Sequence, residues 1–555
     1  MGNKDFKVLI ILLVILAIAV FFRLWQLDEI PPGLYPDVAI NGNDALTALR
    51  TGDFKVFYPE NNGREGLFMN LIAVSFFIFG FSIWSIKVVA VIFGILTVLG
   101  TYLLTKELFR NLKYKADKAE YVALLASFFI GVSFWHVLFS RIGFRAIMVP
   151  FVIVFGLYFL LRAFRTKKIA DFILSGIFWG LGLHTYISYR MAIIILGVFF
   201  ILKLIEYLKE ERIKISPKEI WSKMFLRDGW WKIAIFVLAI IITALPILLY
   251  FLDHPQDFMG RASGVSIFKQ ENPIGAGFKS LLVHLAMFNF YGDANWRHNS
   301  AGSPMLFWPV GILFIIGFIL SFAYLIKSFR AKDFSLFIFH FLLLTWFFSM
   351  LLGGVLSYEG IPHALRVIGV IPVVYIFSAQ GGLLVYDWLV KIVKNKKFIV
   401  VFSLSFIIFV GYSEFYKYFS TWTKNPNVQG AFTKKFADVG YYLNSLPQDT
   451  EKYVIVNEPG VPVPFPDGIP MPSQTIMFIE STKFGRPQSI YLLPEDLDKV
   501  KIDEDTENQP FEEGLEETVI VPMKYEERIF NELKQRWPQG QVEIKDEIFS
   551  YKINH

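Results

Sequence analysis

The segment "VLIILLVILAIAVFFRLWQLDEIPPGLYPDVAINGNDA", Val8 to Ala45, sets an apolar run beside a turn that carries two carboxylates. From Val8 to Phe22 no residue is polar. As helix, Val8–Trp25 extends about 27 Å, close to a bilayer core of about 30 Å. Lys4 and Lys7 precede the run as in a secretory signal, but the run is long and no small-residue cleavage site follows, so it reads as a retained anchor. Beyond it Pro31, Pro32 and Gly33 turn the chain, and Asp37 and Asp44 follow among Gly and Asn. A linker would explain those acids, and so would an active site held against a membrane face.

Similar runs recur near 8–25, 85–105, 119–138, 147–164, 170–187, 191–208, 232–252, 305–326, 334–355, 366–388 and 398–413, about eleven in all. With 54% hydrophobic residues and 59 Phe in 555, an ordinary soluble chain is excluded, and the fold class is an α-helical polytopic membrane protein. The runs stop near 413, so residues 1–413 read as a transmembrane domain and 414–555 as a separate soluble one. With no cysteine, disulfides, thiol nucleophiles and thiolate metal sites are excluded.

The formal charge of +6 is not a nucleic-acid signature, because Lys and Arg gather in short clusters between spans. "KELFRNLKYKADK", "RTKK", "KEERIKISPKEIWSK", "KSFRAKD" and "KIVKNKK" fall on alternate connections, as cytoplasmic loops do under the positive-inside rule. The N-terminus is then cytoplasmic, and an odd number of spans puts 414–555 on the extracytoplasmic side of a plasma or inner membrane. Two long outer loops result, 26–84 and 253–304. In the first, "DVAINGNDALTALRTGD" predicts a short helix, and "GLFMNLIAVSFFIFG" is apolar but too short for a span.

The unusual polar residues gather on that outer side: Asp37, Asp44, Arg64 and Glu65; Arg141 and Arg145; His184, Tyr186 and Arg190; Asp293, Arg297 and His298; His363 and Arg366. An ionisable group near the bilayer centre costs about 2.5–3.5 kcal/mol on insertion scales, so each arginine needs a partner or a purpose. Local ion pairing or snorkelling explains any one of them, but not the recurrence on one side. Guanidinium groups match phosphate oxygens bidentately, and a carboxylate accepts a proton from a hydroxyl. A lipid phosphosugar fits both needs, whereas no GxxxxGK[ST] phosphate loop for a nucleotide is present.

An apolar anchor, an acidic first outer loop, then "NNGREGLF", "SRIGFRA", "HTYISYR", "GDANWRHNSAGSP" and "IPHALR" follow in order. Over roughly residues 1–445 this arrangement resembles the GT-C fold glycosyltransferases of the protein mannosyltransferase group, with the lipid A aminoarabinose transferases and related bacterial enzymes. The resemblance implies an inverting transfer of a sugar from a polyprenyl-phosphate donor to a hydroxyl of a protein, lipid or glycan acceptor. It assigns the catalytic base to Asp37. The group often has Glu directly after that Asp, where this chain has Val38, so the second carboxylate's role is absent or falls to Asp44, Glu60 or Glu65. Arg141, Arg145, Arg190 and Arg366 are expected to hold phosphate, with His184 and Tyr186 orienting phosphate or sugar.

"YGDANWRHN" offers Asp293 and His298, with His284 upstream, as metal ligands, but the spacing matches no compact ligand signature. Sugar binding is the expected role, with a divalent metal the minor alternative, and no other cofactor is expected. A transporter or flippase of lipid-linked saccharides is the rival reading; such proteins often show internal repeats and midplane polar sites, and no repeat is visible here. In 414–555, "AFTKKFADVGYYLNSL" and "YEERIFNELKQRW" predict amphipathic helices, "KYVIVN", "SIYLL" and "TVIVPM" buried strands, and "QVEIKDEIFSYKI" a hairpin, together a small α/β domain. Acceptor binding, packing on the outer loops and structural support are equally open for it.

Overall fold

The computed structural model describes residues 3–110, 112, 118–210, 229–463, 468–502 and 517–554. Much of the basic cluster between 209 and 223, part of that between 106 and 118, and the acidic stretch "DEDTENQPFEEG" lie outside them. The chain forms two compact units, residues 1–27 with 87–424 and residues 28–86 with 425–555. The long loop 26–84 therefore falls almost wholly with the C-terminal residues, a division different from a single cut at 413/414.

The first unit is helical. Among the described residues, nine helices are long and apolar enough to cross a membrane. A tenth candidate is the pair Ala119–Val132 and Phe134–Arg141, bent by 56°. The bend falls at Ser133, whose extended backbone ends one helix while its side chain accepts from the His136 N–H to cap the next.

The expected span at 170–187 is shorter than drawn from sequence. Its α-helix runs Ile169–Leu181, about 20 Å, and continues as a 3-10 turn, Gly182–His184. Gly176 and Gly180 let it pack against Phe236–Thr243 of the helix Trp231–Asp253. It ends where His184 Nε2 meets the Thr243 carbonyl at 3.0 Å. Thr243 is midway along that neighbour, so His184 lies at mid-depth rather than at the outer end of a span.

A cavity of about 400 Å³ lined by Leu108, Phe164, Arg165, Lys203, Trp230 and Phe339 sits where helix ends carry the basic clusters. Arg190, Asp293 and His363 belong to the opposite turns of the same helical array. The cavity is thus not the place where the singled-out polar residues gather.

The second unit begins with the helix Pro36–Thr51, the hairpin β1 (Phe57–Tyr58) and β2 (Arg64–Glu65), and the apolar helix Leu67–Phe79. Its C-terminal part is a five-stranded sheet: β3 (Glu451–Ile455), β4 (Ile490–Leu492), β5 (Glu517–Pro522), β6 (Gln541–Lys545) and β7 (Ile548–Asn554), in the order β4-β3-β5-β7-β6. β3 runs parallel to β4 and β5, while β7 is antiparallel to β5 and β6. Alternation along the strands sorts the core: Val454, Val519 and Val521 face the helices Lys434–Ser445 and Gln474–Phe484, and Tyr453, Ile455 and Ile520 face Glu527–Arg536.

The N-terminal helix of this unit packs on Gln474–Phe484. A Cβ on Gly42 would stand 2.6 Å from Phe478 Cε2 and 2.7 Å from Ile86 Cδ1, so only glycine permits this approach. Asn43 Nδ2 donates to Gln474 Oε1 at 2.8 Å, and the Leu34 carbonyl accepts from the hydroxyls of Thr433 and Thr475 at 2.9 Å each.

Candidate active site

In the second unit, Pro36 starts a helix that places Asp37 in its first turn, where the helix dipole favours an anion. Asp37, Asn41 and Asp44 follow at i, i+4 and i+7 and share one face. The β1–β2 hairpin supplies their partners. Asn61 donates its amide N–H to Asp37 Oδ1. Arg64 is 1% exposed and bonds Asp44 Oδ2 at 2.6 Å, Asn41 Oδ1 at 2.9 Å and the Glu60 carbonyl at 3.2 Å. Its guanidinium also lies over the Tyr58 ring.

The two aspartates are therefore in different states of pairing. Asp44 is matched by a guanidinium: burial pushes its carboxyl up, and Arg64 pulls it back. Among the described residues Asp37 has a neutral amide partner and no ion pair. Glu65 is buried and paired through its backbone with Phe57. Arg64 organises this loop rather than offering its guanidinium to a substrate phosphate.

In the first unit, three segments meet around Asp293. Its Oδ1 accepts from the Asn295 N–H at 2.8 Å, and its Oδ2 accepts from the Ala364 N–H at 2.8 Å. His298 Nδ1 is 3.0 Å from the same Oδ2. The His298 ring packs on Phe139 and Phe144, and the His363 ring lies 4.9 Å away between centroids. His284 stands behind, its Nε2 accepting from the His363 N–H at 3.2 Å and its Nδ1 donating to the Ser280 carbonyl at 2.8 Å. Burial pushes the His284 imidazole below its ordinary value, in keeping with that acceptor nitrogen. Arg297 is in the same turn, where its N–H donates to Asn295 Oδ1.

The remaining arginines differ in employment. Arg141, expected at phosphate, is instead fully buried and donates to the carbonyls of Phe22 at 2.9 Å, Trp25 at 2.6 Å and Gln26 at 3.1 Å, closing the end of the first helix. Arg145 stacks on Tyr186, with its guanidinium carbon 5.3 Å from the ring centre. Arg190 donates to the Phe258 carbonyl and lies 4.0 Å over the Phe258 ring. Arg366 bonds the Glu359 carbonyl at 2.9 Å, the Glu359 carboxylate at 3.3 Å and Ser357 Oγ.

Sequence reading missed Asn41, Tyr58 and Asn61 as parts of the acidic group. Asn41 was findable from its position between the two aspartates on a helical face; Tyr58 and Asn61 needed the hairpin.

Residues 67–216 match the family described as dolichyl-phosphate-mannose-protein mannosyltransferase. Among solved structures, ArnT from Cupriavidus metallidurans bound to undecaprenyl phosphate superposes with a TM-score of 0.54 at 13% identity, covering 99% of this chain and 98% of that one. Its apo form gives 0.51 at 12% identity with the same coverage. The archaeal oligosaccharyltransferase AglB from Archaeoglobus fulgidus, in complex with an inhibitory peptide and a dolichol-phosphate, gives 0.48 at 17% identity. This chain spans 63% of that protein's length. Curated protein sequences gave no match. The likeness to ArnT runs the whole length of both chains and establishes the expected GT-C fold.

Proposed function

We propose that the chain is an integral-membrane glycosyltransferase that moves a sugar from a polyprenyl-phosphate donor to an acceptor hydroxyl, with Asp37 as the base. The carrying observation is the unequal pairing of the two aspartates. Asp44 is matched by Arg64, while Asp37 is oriented by the Asn61 amide and has no ion pair among the described residues. That difference ranks Asp37 above Asp44 as base and gives Asp44 the task of holding Arg64. The arrangement also accommodates Val38, which is buried and carries no polar duty.

In the transfer, the acceptor oxygen forms its bond to the anomeric carbon as the bond from that carbon to the phosphate oxygen breaks. The hydroxyl proton passes to Asp37, and polyprenyl phosphate leaves with the electron pair. An ordinary carboxylate is too weak a base to make an alkoxide beforehand, so the proton moves late, as the oxygen becomes acidic. Negative charge grows on the departing phosphate, and fixed cations stabilise it more in the transition state than before. The N-terminus is cytoplasmic and residues 425–555 are extracytoplasmic in a plasma or inner membrane.

The test is turnover of a panel of labelled polyprenyl-phosphate sugars by the purified protein in lipid, wild type beside Asp37→Asn. Consumption of one donor, slowed by about 100-fold or more in the variant, is expected for a lost general base. Turnover that survives the substitution moves the base elsewhere. Movement of lipid between leaflets with no donor consumed replaces the transferase with a flippase.

A further inference from the structure

None of the residues lining the cavity of about 400 Å³ at the basic helix ends belongs to the acidic group or to the turns around Asp293. We infer that this cavity binds the headgroup of an anionic glycerophospholipid from the leaflet at that end, with the first carbons of an acyl chain on its floor. Three observations carry it.

The first is where the walls come from. Leu108 and Arg165 are in the last turns of Ile83–Arg110 and Met148–Thr166, and Lys203 and Glu206 in the last two turns of Ile193–Glu210. Trp230 precedes Trp231–Asp253, and Ser335 is in the first turn of Phe334–Val355. Five helices thus present the same end. Tyr207 and Trp230, with ring centroids 5.6 Å apart, are of the two residue types that sit at headgroup level.

The second is the grading of the walls with depth. Leu108, Leu161, Ile338, Phe339 and Leu342 are buried, whereas Arg165, Lys167, Lys203, Glu206 and Ser335 are half-buried or exposed. From Ser335 to Leu342 the lining passes from a hydroxyl to hydrocarbon over about 10 Å of helix. A free anion would use the rim alone; a charged head above a hydrocarbon tail uses both levels. The volume falls within the range of about 300–1,000 Å³ usual for ligand sites and suits a headgroup rather than a whole lipid.

The third is charge. Among the described residues, three of the lining side chains are cationic and one is anionic. The ammonium groups of Lys167 and Lys203 gather around one ring, 5.5 and 5.8 Å from the centre of Phe164. Lys203 also meets Glu206 at 2.7 Å, and Glu107 takes two of the five N–H donors of Arg165. Helix dipoles and the positive-inside rule account for basic residues at these ends, but not for their gathering around a cavity with an apolar floor. Basic pockets between transmembrane helices suit anionic headgroups, whose phosphate oxygens accept from such cations.

The test uses the full chain in detergent, freed of co-purified lipid. Dioleoylphosphatidylglycerol or dioleoylphosphatidylcholine is added, and retained lipid is counted by native mass spectrometry. One phosphatidylglycerol per chain is expected, held about 10-fold or more better than phosphatidylcholine. Lys167→Gln with Lys203→Gln is expected to weaken it about 30-fold, the effect of two basic residues on an anionic lipid. Glu206→Gln is expected to strengthen it about 5-fold, a gain that a merely structural role does not give and that decides the matter if the lysine variant fails to fold. Lys327→Gln with Arg330→Gln, exposed at the same end but outside the cavity, is expected to bind as wild type. No preference for phosphatidylglycerol overturns the site. So does a preference that the Lys327 and Arg330 pair lowers as much as the cavity pair, which is diffuse surface attraction. Displacement of the lipid by inorganic phosphate alone reassigns the cavity to a free anion.

Discussion

Arg64 Nη1 lies 2.6 Å from Asp44 Oδ2 and 2.9 Å from Asn41 Oδ1, in a guanidinium almost sealed from solvent. One cation thus ties the hairpin to two positions of a single helical face. The next carboxylate on that face, Asp37, is left to an amide.

Breaking that tie from one end strands a buried charge. Asp44→Leu is expected to destabilise the second unit by about 3 kcal/mol, and Arg64→Met by a similar amount, because each leaves its partner unmatched. The double variant should recover much of the loss. Hydrogen exchange of residues 36–66 in a double-mutant cycle measures this, and simple additivity would show that the pair is not coupled.

Asn61 donates to Asp37, which in the proposed transfer makes it a positioning residue. Asn61→Ala is expected to lower kcat by about 10- to 100-fold through misalignment, with KM for the donor little changed. Asn61→Gln should fail to restore it, since the longer amide cannot occupy the same place. A rise in KM with kcat intact would instead place Asn61 in donor binding.

Gly42→Ala puts a methyl group against Phe478 and Ile86 at distances no ordinary contact allows. About 1–3 kcal/mol of overpacking cost is expected, with faster exchange in both 36–51 and 474–484. Combining Gly42→Ala with Phe478→Leu should return part of it.

Arg141→Lys separates a structural arginine from a phosphate-binding one. A lysine cannot reach three carbonyls at once, so lower thermal stability is expected with an unchanged KM for the donor. A raised KM at unchanged stability would return Arg141 to the substrate.

On the helix Gln474–Phe484, Glu480 is buried and accepts from the Ser489 N–H at 3.1 Å, Ser489 Oγ at 2.7 Å and the hydroxyl of Tyr491 in β4 at 2.5 Å. Burial pushes its carboxyl above the ordinary value of 4.5, against those hydrogen bonds. The folded state then holds this proton more tightly than the unfolded chain. Its contribution is full below 4.5 and is lost as pH rises through the raised value. Opening free energies of β4 amides are expected to fall with rising pH in wild type and to be flatter in Glu480→Gln.

The spans were legible because a bilayer core demands length and apolarity, and both are written residue by residue, as in Val8–Phe22. The span at 170–187 misled because apolarity continues through Gly182 into His184, while the glycines that seat it against a neighbour look like any others. The C-terminal strands followed from short apolar runs such as Tyr453–Val456 and Val519–Val521, but the helix Gln474–Phe484 has apolar residues with no clear face and went unread. Arg141 and Arg145 sit four residues apart in one motif, and only three-dimensional partners distinguish a helix-closing guanidinium from one stacked on Tyr186. Asp293 was visible with His298 because they are local; His363 replaced His284 beside them only once distant turns were brought together.

The hydrogen bond between Asn43 and Gln474 joins residues 431 positions apart. At about 5–20 residues per second, a ribosome takes on the order of 20–90 s to supply the second after the first. Through that interval the helix bearing Asp37 has been made without the surface that Gly42 is shaped to meet. Docking of that helix is therefore a late event in biosynthesis, and a chain cut short before residue 474 would lack the bonds from Thr475 and Gln474 that hold its first loop.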